Sequence, residues 1–203
     1  MNHKAEMTLL TEATLYRDAA DVKRYHTRRV TREQSVGAHS FNMLMLVNMV
    51  APDARKEVFV AIMHHDLPEL MTGDIPAPIK RMHDMLGPIM DQLESELAPL
   101  YRDCGLTSEE EHLVKWADRM ELVLWCLEEF RLGNRYCAET AERGLTWILE
   151  ARKGDNAYCG PFSTTDHLTT EVVNEFITLG LKVAVRPINE RENRVCSKQT
   201  TSR

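Results

Sequence analysis

Apolar residues recur every three or four positions over most of the stretch from Leu9 to Val183, and this spacing limits the available folds more than any other feature of the chain. No stretch alternates apolar and polar residues between Asn-Gly or Asp-Gly turns, so strands are not expected. The periodicity predicts seven helices, near 9–20, 38–49, 53–66, 79–104, 108–132, 135–152 and 167–183. Asp53 reads as the N-cap of the third helix, and Thr107-Ser108-Glu109-Glu110 reads as a capping box opening the fifth. Gly87-Pro88 is a candidate kink in the fourth. Between the first two helices the stretch 21–37 is basic and irregular, and TGDIPAPIK at 72–80 reads as a loop. With 203 residues, no repeat and no internal linker, the expectation is a single-domain, all-α helical bundle over 1–186 with a polar C-terminal tail over 187–203.

Charge and cysteine usage exclude several classes. A net charge of −6 argues against coating a nucleic-acid polymer or an anionic membrane. The longest apolar run, 43–51, is broken by Asn48 and is too short to span a bilayer. The first ten residues carry charge, so no signal peptide is expected. The five cysteines, Cys104, Cys126, Cys137, Cys159 and Cys196, are odd in number and show no C-x-x-C spacing. Neither a disulfide framework nor a Cys-type zinc site is expected, and reduced thiols in a cytoplasmic protein are.

The informative residues are polar groups on faces that ought to be core. Asp118 has Val114, Leu122 and Trp125 on its own face. Asp66 has Phe59, Ile62 and Met63, and His65 has Val58, Ala61 and Ile62. His39 has Met43 and Leu46 at i+4 and i+7. A buried carboxylate needs a cation or a hydrogen-bond partner. Taken singly, an inward His is more often a hydrogen-bonded core residue than a ligand, and an inward Asp more often caps a helix or meets an Arg. Two imidazoles and two carboxylates together are explained by one divalent transition ion. Glu69 and Asp74 follow in the same stretch. Acids near a metal but not on it can orient water or move protons, whereas the plainer readings are a helix cap for Glu69 and an Asx turn for Asp74. A second His-Asp pair, His83-Asp84, lacks the acidic and Gly-Asp residues that follow the first and reads as a solvated face. His64 points about 100° away from His65 on a helix and suits packing or support of the ligands.

These residues resemble the H…HD…D signature of HD-domain metal-dependent phosphohydrolases. The fuller match is to the YfbR-type 5′-deoxynucleotidases: Arg24-Tyr25, VGAHS at 36–40, HDLPE at 65–69, TGDIPAPIK at 72–80, LVKWAD at 113–118 and CLEE at 126–129. Order and spacing agree from about Arg24 to about Arg152, and the TGD-x-P-x-P-x-K element is far more specific than the HD pair. Tyr25 stands where the family usually has Trp, and Ala38 stands where Glu is common.

The resemblance implies an HD-domain fold and a metal held by His39, His65, Asp66 and Asp118. It gives Arg24 to the phosphate, and Glu69 and Asp74 to the attacking water and the leaving ribose oxygen. Tyr25 and Ile75 are candidates for the sugar wall, and Ala77, Pro78, Ile79 and Lys80 would line the nucleotide pocket. The expected reaction is hydrolysis of a deoxynucleoside monophosphate to deoxynucleoside and phosphate. Related phage enzymes split deoxynucleoside triphosphates, some selectively dATP, so release of tripolyphosphate is the second reading. A nucleotide sensor without catalysis is a third, and its mark would be loss of Glu69 or Asp74, both of which are present. The cofactor is one divalent ion among Co, Mn, Zn, Fe and Ni, the partner is a small deoxynucleotide, and the resemblance suggests a homodimer or larger homo-oligomer.

Overall fold

Thr8 opens the first helix, α1 (Leu9–Ala20), its hydroxyl accepting the Thr11 amide hydrogen. The computed structural model describes residues 8–76, 79, 86–96, 104–151 and 163–181. By its internal contacts the chain divides into two units, one of 1–45 with 54–106 and one of 46–53 with 107–203. The described residues are overwhelmingly helical, as the periodicity predicts.

In the first unit, α1 runs into an element that the sequence does not announce. β1 (Lys23–Arg24) pairs antiparallel with β2 (Gln34–Ser35), Lys23 opposite Ser35 and Arg24 opposite Gln34. The expectation of no strands is corrected here: two residues per strand are too few to show alternation. The Lys23–Glu33 ion pair at 2.8 Å spans the exposed side of this ribbon. The Val36 amide then donates to Val22 O at 2.9 Å. This carries the chain straight into α2 (Val36–Val50), two residues earlier than predicted. A Cβ on Gly37 would lie 2.8 Å from Ala20 Cβ, so the missing side chain lets the end of α1 approach the first turn of α2. The inward face of α2 is Val36, His39, Met43, Leu46, Val47 and Val50, a helical stripe with an imidazole in it.

Helix α3 (Lys56–His64) starts at Arg55, whose extended backbone replaces the predicted Asp53 cap. Asp53 lies in the preceding turn, and Arg55 makes no side-chain cap. The start at Lys56 places Val58 and Ile62 on the buried face. A short helix, α4 (Glu69–Thr72), follows and stops at Gly73, whose φ of 67° is the left-handed region glycine favours. Helix α5 (Leu86–Glu96) holds Gly87-Pro88 near the N-terminal end of its described residues. Cys104 is not helical, so the fourth predicted helix stops short of it.

In the second unit, α6 (Ser108–Arg131) opens on the predicted capping box. Glu110 N donates to Thr107 Oγ1 at 3.3 Å, and Thr107 N donates to Glu110 Oε2 at 2.8 Å. The predicted sixth helix divides into a 3-10 turn, η1 (Arg135–Cys137), capped by Asn134, and α7 (Ala138–Ala151). A Cβ on Gly144 would lie 2.5 Å from Val123 Cγ2, so α7 meets α6 at a spacing only glycine allows. Helix α8 (Ser163–Thr178) begins four residues earlier than predicted because buried Thr165 and Thr169 extend the stripe of Val172 and Phe176. It stops where Gly180 takes φ 86° and Leu181 N reaches back to Phe176 O at 2.9 Å. Phe130 and Phe176 meet edge to face at 5.4 Å. No helix among the described residues is long and apolar enough to cross a membrane.

Candidate active site

The site is built in the first unit from α2, the end of α3 and β1. His39 lies one turn into α2 and is completely buried. His65 is the C-cap of α3 and still has helical backbone. Its Nδ1 lies 2.6 Å from Ile62 O, and a carbonyl can only accept, so Nδ1–H donates and Nε2 presents a lone pair. That lone pair lies 3.3 Å from His39 Nε2. Asp66 Oδ2 completes a triangle, 3.2 Å from His65 Nε2 and 3.7 Å from His39 Nε2.

These lengths test whether the donors suit a metal. Bonds of about 2.1 Å in a tetrahedral shell put neighbouring donors about 3.4 Å apart. The three observed edges, 3.2, 3.3 and 3.7 Å, bracket that value. Two imidazoles and one carboxylate are also the chemistry that borderline divalent ions favour. The donor set therefore fits a transition ion.

Arg24 NH1 donates to the same Asp66 oxygen at 2.7 Å. Burial pushes the Asp66 carboxyl up, but His65 and His39 in their protonated forms, together with Arg24, outweigh it and hold the group well below the usual carboxylate range. The carboxylate thus stays ionised as a ligand. The sequence did not reveal this pairing, because Arg24 and Asp66 are 42 residues apart.

The residue after Arg24 is unusual. Tyr25 has φ 57°, the sole positive value among the described non-glycine residues. Its amide donates to Asp74 Oδ2 at 2.9 Å. The Arg24 guanidinium carbon lies 5.4 Å from the Tyr25 ring centroid. Glu69 is buried in the first turn of α4. Ile75 is half-buried and Ile79 is exposed, while Ala77, Pro78, Lys80 and the His83-Asp84 pair lie outside the described residues.

Asp118 belongs to the second unit. It lies half-buried on α6, beside the fully buried Ala117 and one residue before half-buried Arg119. His64 turns away from the ligands and lies parallel to the Tyr16 ring at 5.8 Å. With Ser40 and Phe41 these rings line a cleft of about 540 Å³ in the first unit, and neither His39, His65 nor Asp66 reaches it. Sequence reasoning missed two buried acids on α6, Glu121 and Glu129. Glu129 accepts from the Asn134 side-chain amide, and its backbone carbonyl accepts from Asn134 N at 2.9 Å. It therefore ties the end of α6 to η1, and the signal for its burial was Trp125 and Cys126 at i−4 and i−3 on the same helix face.

Comparison with known proteins shows the family and the fold. The 5′-deoxynucleotidase YfbR of Escherichia coli O1:K1 is 25% identical, over 76% of this chain and 90% of its own length. The protein of the same name from E. coli ATCC 8739 is 26% identical over the same shares. An HD-domain phosphohydrolase from Listeria innocua has the same fold, with a TM-score of 0.62 at 16% identity over 92% of this chain and 97% of its own. The model of the family described as 5′-deoxynucleotidase YfbR-like matches residues 13–158, and this chain belongs to that family of hydrolases.

Proposed function

We propose that this enzyme hydrolyses the 5′ phosphate ester of 2′-deoxynucleoside monophosphates, giving deoxynucleoside and phosphate. The observation that carries the reading is the triangle of His39, His65 and Asp66 donors with Arg24 on the same carboxylate oxygen. It occurs in a chain whose E. coli relatives are named 5′-deoxynucleotidases. Asp118 is assigned as the fourth ligand on the strength of the LVKWAD motif and its place at the edge of the buried face of α6. Co, Mn, Zn, Fe and Ni all suit such a donor set. A bound ion would supply Lewis acidity toward a phosphoryl oxygen and acidify water.

The remaining work falls to the chain. Arg24 presents a planar guanidinium that can hold a phosphate through two parallel hydrogen bonds. Glu69, buried in the first turn of α4, is assigned to proton transfer with the attacking water. Tyr25 and Ile75 are assigned to the sugar, and Ala77, Pro78, Ile79 and Lys80 to the rest of the nucleotide. A triphosphate substrate is the second reading, favoured by exposed Arg28, Arg29 and Arg32 in the loop between β1 and β2. The family match supports a phosphohydrolase domain within 1–186, and a cytoplasmic homo-oligomer is the state assigned to it.

The test is a panel of each dNMP, dNTP and ribonucleotide against several metals, with product identification. Burying a 2′-hydroxyl against Tyr25 and Ile75 without a partner costs about 1–3 kcal/mol, roughly 5- to 150-fold. kcat/KM for dAMP is accordingly expected to exceed that for AMP by such a factor. Equal values for dAMP and AMP and for dATP and ATP would sink the deoxynucleotide reading. Tripolyphosphate as the product would select the second.

A further inference from the structure

We infer that Asp74 acts as a backbone clamp: its carboxylate holds the Tyr25 amide, fixes residue 25 in a left-handed conformation, and thereby turns the Arg24 and Tyr25 side chains toward one place. This is a positioning role, distinct from delivering a proton to the leaving oxygen. It rests on the phosphohydrolase reading only for its kinetic consequence, since the clamp itself is a matter of conformation.

The argument begins with the strand. In an extended chain, consecutive side chains point to opposite faces. Arg24 ends β1 and Tyr25 follows it directly, so regular continuation would separate the guanidinium from the ring. Instead they stand 5.4 Å apart, which follows from the change of hand at Tyr25. A non-glycine residue holds φ 57° only where its surroundings impose it.

Three contacts impose it here. The Tyr25 amide donates to Asp74 Oδ2 at 2.9 Å, an ionised acceptor that is stronger than a neutral one. Tyr25 O accepts from Arg28 N at 2.8 Å, turning the chain back into the loop. Arg24 is anchored from its side chain to Asp66. Asp74 is in turn aimed by its own neighbours. Gly73 takes φ 67°, and its amide donates to Glu69 O at 2.7 Å. Thus two adjacent residues, 24 and 25, are fastened to 66 and 74, one through its side chain and the other through its backbone.

The clamp and a proton-transfer role differ over one substitution. Asparagine keeps an oxygen that can accept the Tyr25 amide but cannot donate as an acid. Alanine removes both abilities. The first measurement is amide hydrogen exchange at Tyr25, followed by NMR in the whole protein without substrate. Loss of a hydrogen bond to a charged group should speed exchange in Asp74→Ala by roughly 10- to 100-fold, with Asp74→Asn closer to the unmodified protein. The second is steady-state kinetics on the substrate found by the panel. Asp74→Ala should raise KM more than it lowers kcat, and Asp74→Asn should be clearly less impaired. All three proteins should share one shape of kcat against pH. In a Tyr25→Gly background, which tolerates the left-handed region freely, the Asp74→Ala effect on KM should shrink.

Exchange at Tyr25 that is the same in Asp74→Ala as in the unmodified protein would overturn the clamp, whatever the enzyme's substrate. Asparagine as damaging as alanine, with the alkaline limb of the pH profile lost, would also overturn it and make Asp74 the proton donor. If Asp74→Ala does not fold, the asparagine variant decides alone, through its exchange rate and pH profile. If no nucleotide is hydrolysed, the exchange data still decide the clamp while the functional reading fails.

Discussion

The region around Arg24 and the α6–α7 contact are held by opposite means. Around Arg24, charges and a left-handed tyrosine define the geometry, with Asp66 receiving one guanidinium and facing two imidazoles. Between α6 and α7, a glycine lets two helices approach until Val123 fills the gap. The first arrangement gathers charged and polar groups at one place and accepts strain at Tyr25. The second hides apolar surface and has no strain to spare. Chemistry requires the first kind of place, and stability comes from the second.

That contrast can be broken at either end. Asp66→Ala should have the largest effect. It removes a donor and leaves Arg24 facing two imidazoles, so metal affinity should fall by more than the roughly 10- to 100-fold typical of partners that merely support a ligand. Metal content by mass spectrometry and turnover should both drop to background. Retained metal would show that Asp66 belongs to the guanidinium alone. Arg24→Lys comes next. It keeps the charge but loses the fork, and kcat/KM should fall by about 10- to 100-fold, with metal content preserved. Activity equal to the unmodified enzyme would make Arg24 a structural partner of Asp66 only.

The smallest effect on catalysis is expected at the packed end. Gly144→Ala puts a methyl group against Val123 and should destabilise by about 1–3 kcal/mol, lowering Tm by several degrees while kcat stays within about twofold. Adding Val123→Ala should return part of the lost Tm, since it opens the space the methyl group needs. If the two losses simply add, the helices have moved apart and the close approach is not what holds them.

The polar residues on core faces were legible because a helix repeats. His39 falls on the stripe of Val36, Met43 and Leu46, and it is completely buried. The capping box at Thr107 was legible because its two bonds are local. Tyr25 was not, since a tyrosine gives no sign of left-handed backbone and its partner lies 49 residues away. The β1–β2 pair escaped because two residues cannot alternate. Asp53 looked like a cap, but burial of Val58 and Ile62 decided where α3 begins. The start of α8 was misplaced because Thr165 and Thr169 are polar, and an apolar count passes over buried hydroxyls such as that of Thr169, which donates to Thr165 O at 2.7 Å.

The reach of these contacts along the chain also orders events in time. The Cys137 thiol meets Cys126 O across 11 residues, and Glu129 meets Asn134 across 5, so the turn from α6 into α7 can close early. The Arg24–Asp66 and Tyr25–Asp74 contacts span 42 and 49 residues. Closing loops of that length costs about 1 kcal/mol more than closing an 11-residue one, before any contact rewards it. Refolding should therefore show tryptophan burial on α6 ahead of metal competence, and an enzyme partly unfolded by mild denaturant should lose its ion while much of its helical signal remains.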